Sequence, residues 1–201
     1  MYFGIVLGIV FFITFAMMVA EGLWSNTIAL MQIVFSGIVA FGFAQPITVW
    51  ADEYTDGEYT YALDIVVLWF LFALSMILLK IFAELLSKTR AKFVPQVDTF
   101  GGALVGLVAG AVMAGIVGAT LHTAPLPKDG LGGGMDYPPG DLSDAGWAAV
   151  DIHWLRLVEA AAGAGLTGDA SFTAEDFVAV YGAHRKSYAE NAEGLKVRRK
   201  G

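Results

Sequence analysis

The sequence predicts an all-α, polytopic membrane protein: four transmembrane helices followed by a small C-terminal helical appendage. Three observations carry this expectation. Apolar residues make up 57% of the 201-residue chain and charged residues only 15%, against about 25% charged in ordinary soluble domains. Four apolar stretches follow one another, each long enough to cross hydrocarbon as a helix. In the last of them a small residue returns at every fourth position.

The first stretch, Tyr2 to Ala20, has no basic residue before it and is too long for the apolar part of a cleavable signal. At 1.5 Å per residue it covers roughly 28 Å, about one bilayer core, and reads as span one. Span two runs from about Trp24 to Trp50 and contains Gln32, Gln45 and Pro46. Span three runs from Tyr61 to about Leu86, and span four ends near Leu121. Backbone polar groups in lipid must be satisfied within the segment, so each stretch is expected to be helical. Transmembrane strands need only about ten residues, which excludes a barrel.

Span four reads Asp98-Thr-Phe-Gly-Gly102-Ala-Leu-Val-Gly106-Leu-Val-Ala-Gly110-Ala-Val-Met-Ala114-Gly-Ile-Val-Gly118. On a helix Gly102, Gly106, Gly110, Ala114 and Gly118 share one face. In water each such glycine costs about 1 kcal/mol relative to alanine. In a bilayer a small-residue stripe lets another helix approach closely, so the expected role is helix packing. Gly101 and Gly115 add a second small face. That leaves two readings: packing within one subunit, or lining a homo-oligomeric pore.

Orientation follows from the loops. Lys88, Arg90 and Lys92 lie between spans three and four, whereas Asp52, Glu53, Asp56 and Glu58 lie between spans two and three. The positive-inside rule puts the basic loop in the cytoplasm, so both termini are expected outside. Trp50, Tyr54, Tyr59 and Tyr61 would belong to the outer aromatic belt.

Beyond span four the composition changes. Residues 1–122 are read as the membrane domain, 123–142 as a Pro/Gly-rich linker and 143–201 as a helical tail. Pro125, Pro127, Pro138, Pro139 and the Gly130–Gly134 cluster mark the linker. Ser143 is the expected cap of a helix carrying Trp147, Val150, Trp154, Leu157 and Val158 on one face. Thr173 is the expected cap of a second, with Asp176 three residues on and Phe172 and Phe177 at staple positions. About 55 residues make a thin core, so these helices are expected to lean on the membrane, on each other or on a partner. Trp147 and Trp154 are expected to be exposed.

The polar residues inside the spans are few. Asp64 lies just inside span three, where an acid is a functional candidate unless interfacial water reaches it. Lys80 and Glu84, spaced i, i+4, read as a mutual pair that snorkels to the interface, or as an ion relay. Together these three form the candidate intramembrane polar site. Asp98 opens span four, where helix N-terminal N–H groups favour an acid.

No constellation for catalysis is present. His122, His153 and His184 lack metal-ligand spacing. Ser36-Gly37 lacks the glycine two residues earlier that an intramembrane serine nucleophile would have. No phosphate-cradling loop exists, because no Lys-Ser or Lys-Thr follows the Gly130–Gly134 cluster. The absence of cysteine excludes disulfides and thiolate metal sites. A net charge of −7 argues against nucleic acid as a partner. No enzyme activity, cofactor or metal is expected.

Residues 1 to about 122 resemble the colicin V production (CvpA-like) family of bacterial inner-membrane proteins. The resemblance rests on Asp98 followed by Gly102, Gly106 and Gly110, on Gly22 between spans one and two, and on Ala44-Gln45-Pro46 late in span two. Departures are Glu21, Ser25, Thr99 and Ala109, which stand where the family tends to carry basic residues. The resemblance implies an inner-membrane protein that supports toxin (bacteriocin) production or export and envelope homeostasis. It implies the lipid bilayer and other membrane proteins, or further copies of itself, as partners. The alternative is a small homo-oligomeric channel or transporter with a glycine-striped pore helix.

Overall fold

The computed structural model describes residues 2–54, 60–86, 93–124, 126, 130–133, 135, 137, 142, 146–168 and 171–190. Among these there are six α-helices, one 3₁₀ turn at Gly130–Gly133 and no strand. The helices are α1 (Tyr2–Met18), α2 (Leu23–Tyr54), α3 (Thr60–Leu86), α4 (Pro95–Thr123), α5 (Val150–Gly163) and α6 (Ala174–Glu190). The basic-loop residues Lys88, Arg90 and Lys92 lie outside the described residues. So do Asp56, Glu58, Tyr59, the linker prolines and Ser143.

Three helices are long and apolar enough to cross a membrane: Leu23–Tyr54, Ala62–Leu86 and Pro95–Thr123. The first helix is apolar but shorter, with 17 residues. That length reaches about 25 Å. It stops at Met18 rather than Ala20, and Val19 to Gly22 turn the chain into α2. The fourth helix starts three residues before Asp98, with Pro95 in its first turn, where a missing N–H and a fixed φ cost nothing.

The bundle is built on α4. One side of it meets α1 and another meets α2, while α3 lies against α2. The core joins Ile33, Ile38 and Phe41 of α2, Leu68 and Phe72 of α3, Ile116 and Ala119 of α4, and Ile152, Leu155 and Val158 of α5. A smaller cluster joins Phe3 and Leu7 of α1 to Ala114 of α4 and to Met135. Most other α1 and α3 side chains face outward, including Phe12, Met17, Phe70, Ile77 and Phe82. In water that surface would be untenable; in hydrocarbon it is the ordinary outside of the protein.

The fifth helix starts at Val150, seven residues after the expected cap Ser143, and its N-cap Ala149 offers no side-chain bond. It packs on α4 and α2. Trp154 is therefore buried, contrary to the expectation of exposure, whereas Trp147 is 91% exposed. The physical reason is the absence of side chains opposite it. A Cβ on Gly37 would lie 2.4 Å from the Trp154 ring, and one on Gly115 would lie 3.1 Å from the Trp154 Cβ. The sixth helix is capped by Thr173. Its hydroxyl accepts the Asp176 N–H at 3.1 Å and donates to the Asp176 carboxylate at 2.7 Å. Phe172 and Phe177 form the staple, with ring centroids 5.8 Å apart.

Pro46 stands inside α2. It has no N–H for the Gly42 carbonyl one turn back. The chain after α5 crosses at that place: a Cβ on Gly42 would meet Thr167 at 2.6 Å, and one on Gly168 would meet the Phe43 ring.

Candidate functional site

Asp98 is placed by the first turn of α4, but the N–H it binds belongs to another helix. Its Oδ1 accepts the Leu23 backbone N–H at 2.8 Å. Leu23 is the first residue of α2 and would otherwise carry an orphan donor. Asp98 thus stands in the first turn of its own helix and also caps a neighbour. Gly22 makes this possible. Its φ is +82°, in the left-handed region that glycine enters without strain. A Cβ there would lie 2.8 Å from the Asp98 carboxylate.

Asn26 completes this corner. It is buried, and its side-chain amide donates to the Met18 carbonyl at 2.7 Å and the Gly102 carbonyl at 2.9 Å. One amide group therefore ties the end of α1 and the stripe of α4 to α2. Sequence reasoning passed over Asn26. The available signal was a short polar side chain within a turn of the start of an apolar span.

Each member of the stripe has a partner within the chain. A Cβ on Gly102 would lie 3.0–3.2 Å from the Gly22 and Leu23 backbones. Gly106 faces Phe15 and Met18, and Gly110 faces Phe11. Ala114 is buried with Phe3 and Leu7. Gly118 faces Leu7 and Asp151, and Gly115 faces the Val150 carbonyl. The two small faces serve intramolecular neighbours: the α1–α2 turn with Leu23, then α1 and α5. Of the two readings, these contacts match packing within one subunit.

At the far end of α4 a buried polar cluster joins three helices. His122 Nε2 and Asp151 Oδ2 are 2.9 Å apart, and both side chains are fully buried. Tyr137 donates its hydroxyl to the same carboxylate at 3.2 Å. Arg185 of α6 donates to the His122 carbonyl at 2.9 Å and to the Met135 carbonyl at 3.2 Å. Its Nη1 also lies 3.4 Å from His122 Nδ1. Burial, and then the Asp151 charge beside it, push the Tyr137 hydroxyl well above its usual range. These residues come from positions 122 to 185, so no local pattern announces them. His122 is thereby spent on Asp151. His153 and His184 are exposed, and no metal-binding group of three occurs among the described residues.

Asp64 borders a cavity of about 400 Å³ lined by the second half of α2, the first turns of α3 and the N-terminal part of α6. Phe41, Phe172, Phe177 and Tyr181 supply aromatic wall, and Asp52, Asp64 and Asp176 supply carboxylates. Tyr181 and Thr48 lie beside the Asp64 carboxylate. Lys80 and Glu84 are not part of it: they lie more than four turns further along α3. Both are exposed, and no ion pair joins them among the described residues. The expected pair is therefore not formed, and exposed charges gain little from pairing.

A glycine-packed helical bundle with three hydrocarbon-length helices, outward aliphatic faces and polar corners at both ends defines a multi-pass membrane protein. The chain belongs to the colicin V production protein family, whose model matches residues 3–133. No curated protein and no solved structure matches it. Asp98, Gly22 and Pro46, the positions that carried the resemblance, fall at the α1–α2 corner and at the crossing of α2 by the chain after α5.

Proposed function

We propose that this is a four-span protein of the bacterial inner membrane that supports toxin production or export and envelope homeostasis as an oligomeric scaffold, without catalysis of its own. The apolar α1 supplies the fourth span, tilted little because it is short. Lys88, Arg90 and Lys92 support a cytoplasmic α3–α4 connection, with both termini outside. The observation that carries the scaffold reading is α3. Its seam with α2 uses one flank, and Phe70, Ile77, Leu78, Ile81 and Phe82 remain outward. That flank suits a second copy or another membrane protein as well as lipid.

The chain has no cysteine, so single cysteines give clean cross-links. Phe70→Cys or Ile77→Cys in native membranes is expected to yield covalent dimers under mild oxidation. Monomer alone at every α3 position would remove the oligomeric reading. Orientation is tested by protease on intact spheroplasts: residues 171–201 should be cut without lysis.

A further inference from the structure

The cavity between α2, α3 and α6 carries three carboxylates and no lysine or arginine on its wall, with His184 as the one basic-type side chain. Aromatic residues share the wall with the carboxylates. Phe41 and Phe177 have ring centroids 5.8 Å apart, and Phe177 and Tyr181 4.7 Å apart. Aromatic faces attract cations within about 6 Å, more so where water is excluded. A volume of about 400 Å³ lies in the range of pockets that bury small organic ligands.

A second, independent observation points into the same space. Thr48 is 8% exposed and lines the cavity, and its hydroxyl makes no hydrogen bond of good geometry. That hydroxyl lies beside the Asp64 carboxylate without a well-formed bond, so it is placed to take a partner of its own. A carboxylate, an unpaired hydroxyl and a ring of π-faces together match one chemistry. We propose that this cavity is a binding site for a small amphipathic organic cation, an ammonium group carried on an apolar body. The ammonium would sit beside Asp64 against the Phe177 face, with Asp52 adding long-range attraction. The apolar body would lie along Phe41 and Leu68. A bare metal ion fits less well, because most of the wall offers carbon rather than oxygen. The site stands apart from the scaffold reading and does not depend on it.

The experiment uses the full chain in lipid nanodiscs and benzyltrimethylammonium as the probe, with titration followed by calorimetry. Its neutral isostere neopentylbenzene and the anion benzenesulfonate are the controls. Saturable binding of the cation is expected, at least about tenfold tighter than the neutral isostere, with none of the anion. Asp64→Asn should weaken it about tenfold or more. Thr48→Val, which keeps shape and removes only the hydroxyl, should weaken probes bearing an N–H, such as benzylammonium, by several-fold, and leave the quaternary probe nearly unchanged. Wild-type thermal stability in each variant shows that the fold is intact. Equal affinity for the isostere, absence of saturable binding, or an unaltered affinity in a folded Asp64→Asn protein would each overturn the proposal. So would a response to calcium alone. None of these readings depends on toxin production or oligomeric state.

Discussion

The Asp98 carboxylate accepts the Leu23 N–H at 2.8 Å across 75 positions of sequence. One acid thus fixes the start of α2 to the first turn of α4, and Gly22 gives it room. An N-terminal cap contributes about 1 kcal/mol, and a charged, partly buried one more. Asp98→Ala should therefore lower stability by about 1–3 kcal/mol. Asp98→Asn, which keeps an acceptor oxygen, should lose less. Thermal unfolding in mild detergent ranks the two; equal losses would mean that charge, not capping, is what matters.

The stripe glycines are not equivalent. Methyl groups at Gly102 and Gly115 would meet backbone atoms at 3.0 and 2.6 Å, whereas one at Gly106 meets Phe15 and Met18 at ordinary distances of 3.4 Å and beyond. Gly102→Ala and Gly115→Ala should each destabilise by about 1–3 kcal/mol, because backbone cannot move aside as a side chain can. Gly106→Ala should lie within about 0.5 kcal/mol of wild type. Gly106→Leu, too large for the same gap, should lower the amount of assembled protein in the membrane. Membrane accumulation and melting temperature across the four variants check the order.

Asn26 donates two hydrogen bonds to two helices. Asn26→Leu removes both hydrogen bonds between the helices, at a cost of about 1–3 kcal/mol. Asn26→Asp should be worse, since it turns a donor into an anion facing two carbonyl oxygens. The test is the fraction of each variant that survives extraction as a monodisperse species.

The buried cluster around His122 predicts strong coupling. Arg185→Met removes the donor to the His122 and Met135 carbonyls, at a cost of about 1–3 kcal/mol. Asp151→Asn weakens the carboxylate that His122 and Tyr137 share, at a similar cost. Both act through His122, so a double-mutant cycle on thermal stability should show losses that do not add; strict additivity would mean that the two contacts are independent.

What the sequence determined alone is what local chemistry determines. Helix existence follows from apolar length, as in α2, α3 and α4, and the Thr173–Asp176 cap from adjacent residues. The stripe's period is likewise readable, because spacing along one helix is fixed by the helix itself. Tertiary structure decided which helices meet. It gave Asp98 a partner on α2. It seated Trp154 in the notch left by Gly37 and Gly115, and it gathered His122, Asp151 and Arg185 from three elements. Those contacts join residues from about 30 to more than 100 positions apart, and no periodicity encodes a distance across space. Small residues announce that something will approach closely; only packing says what does.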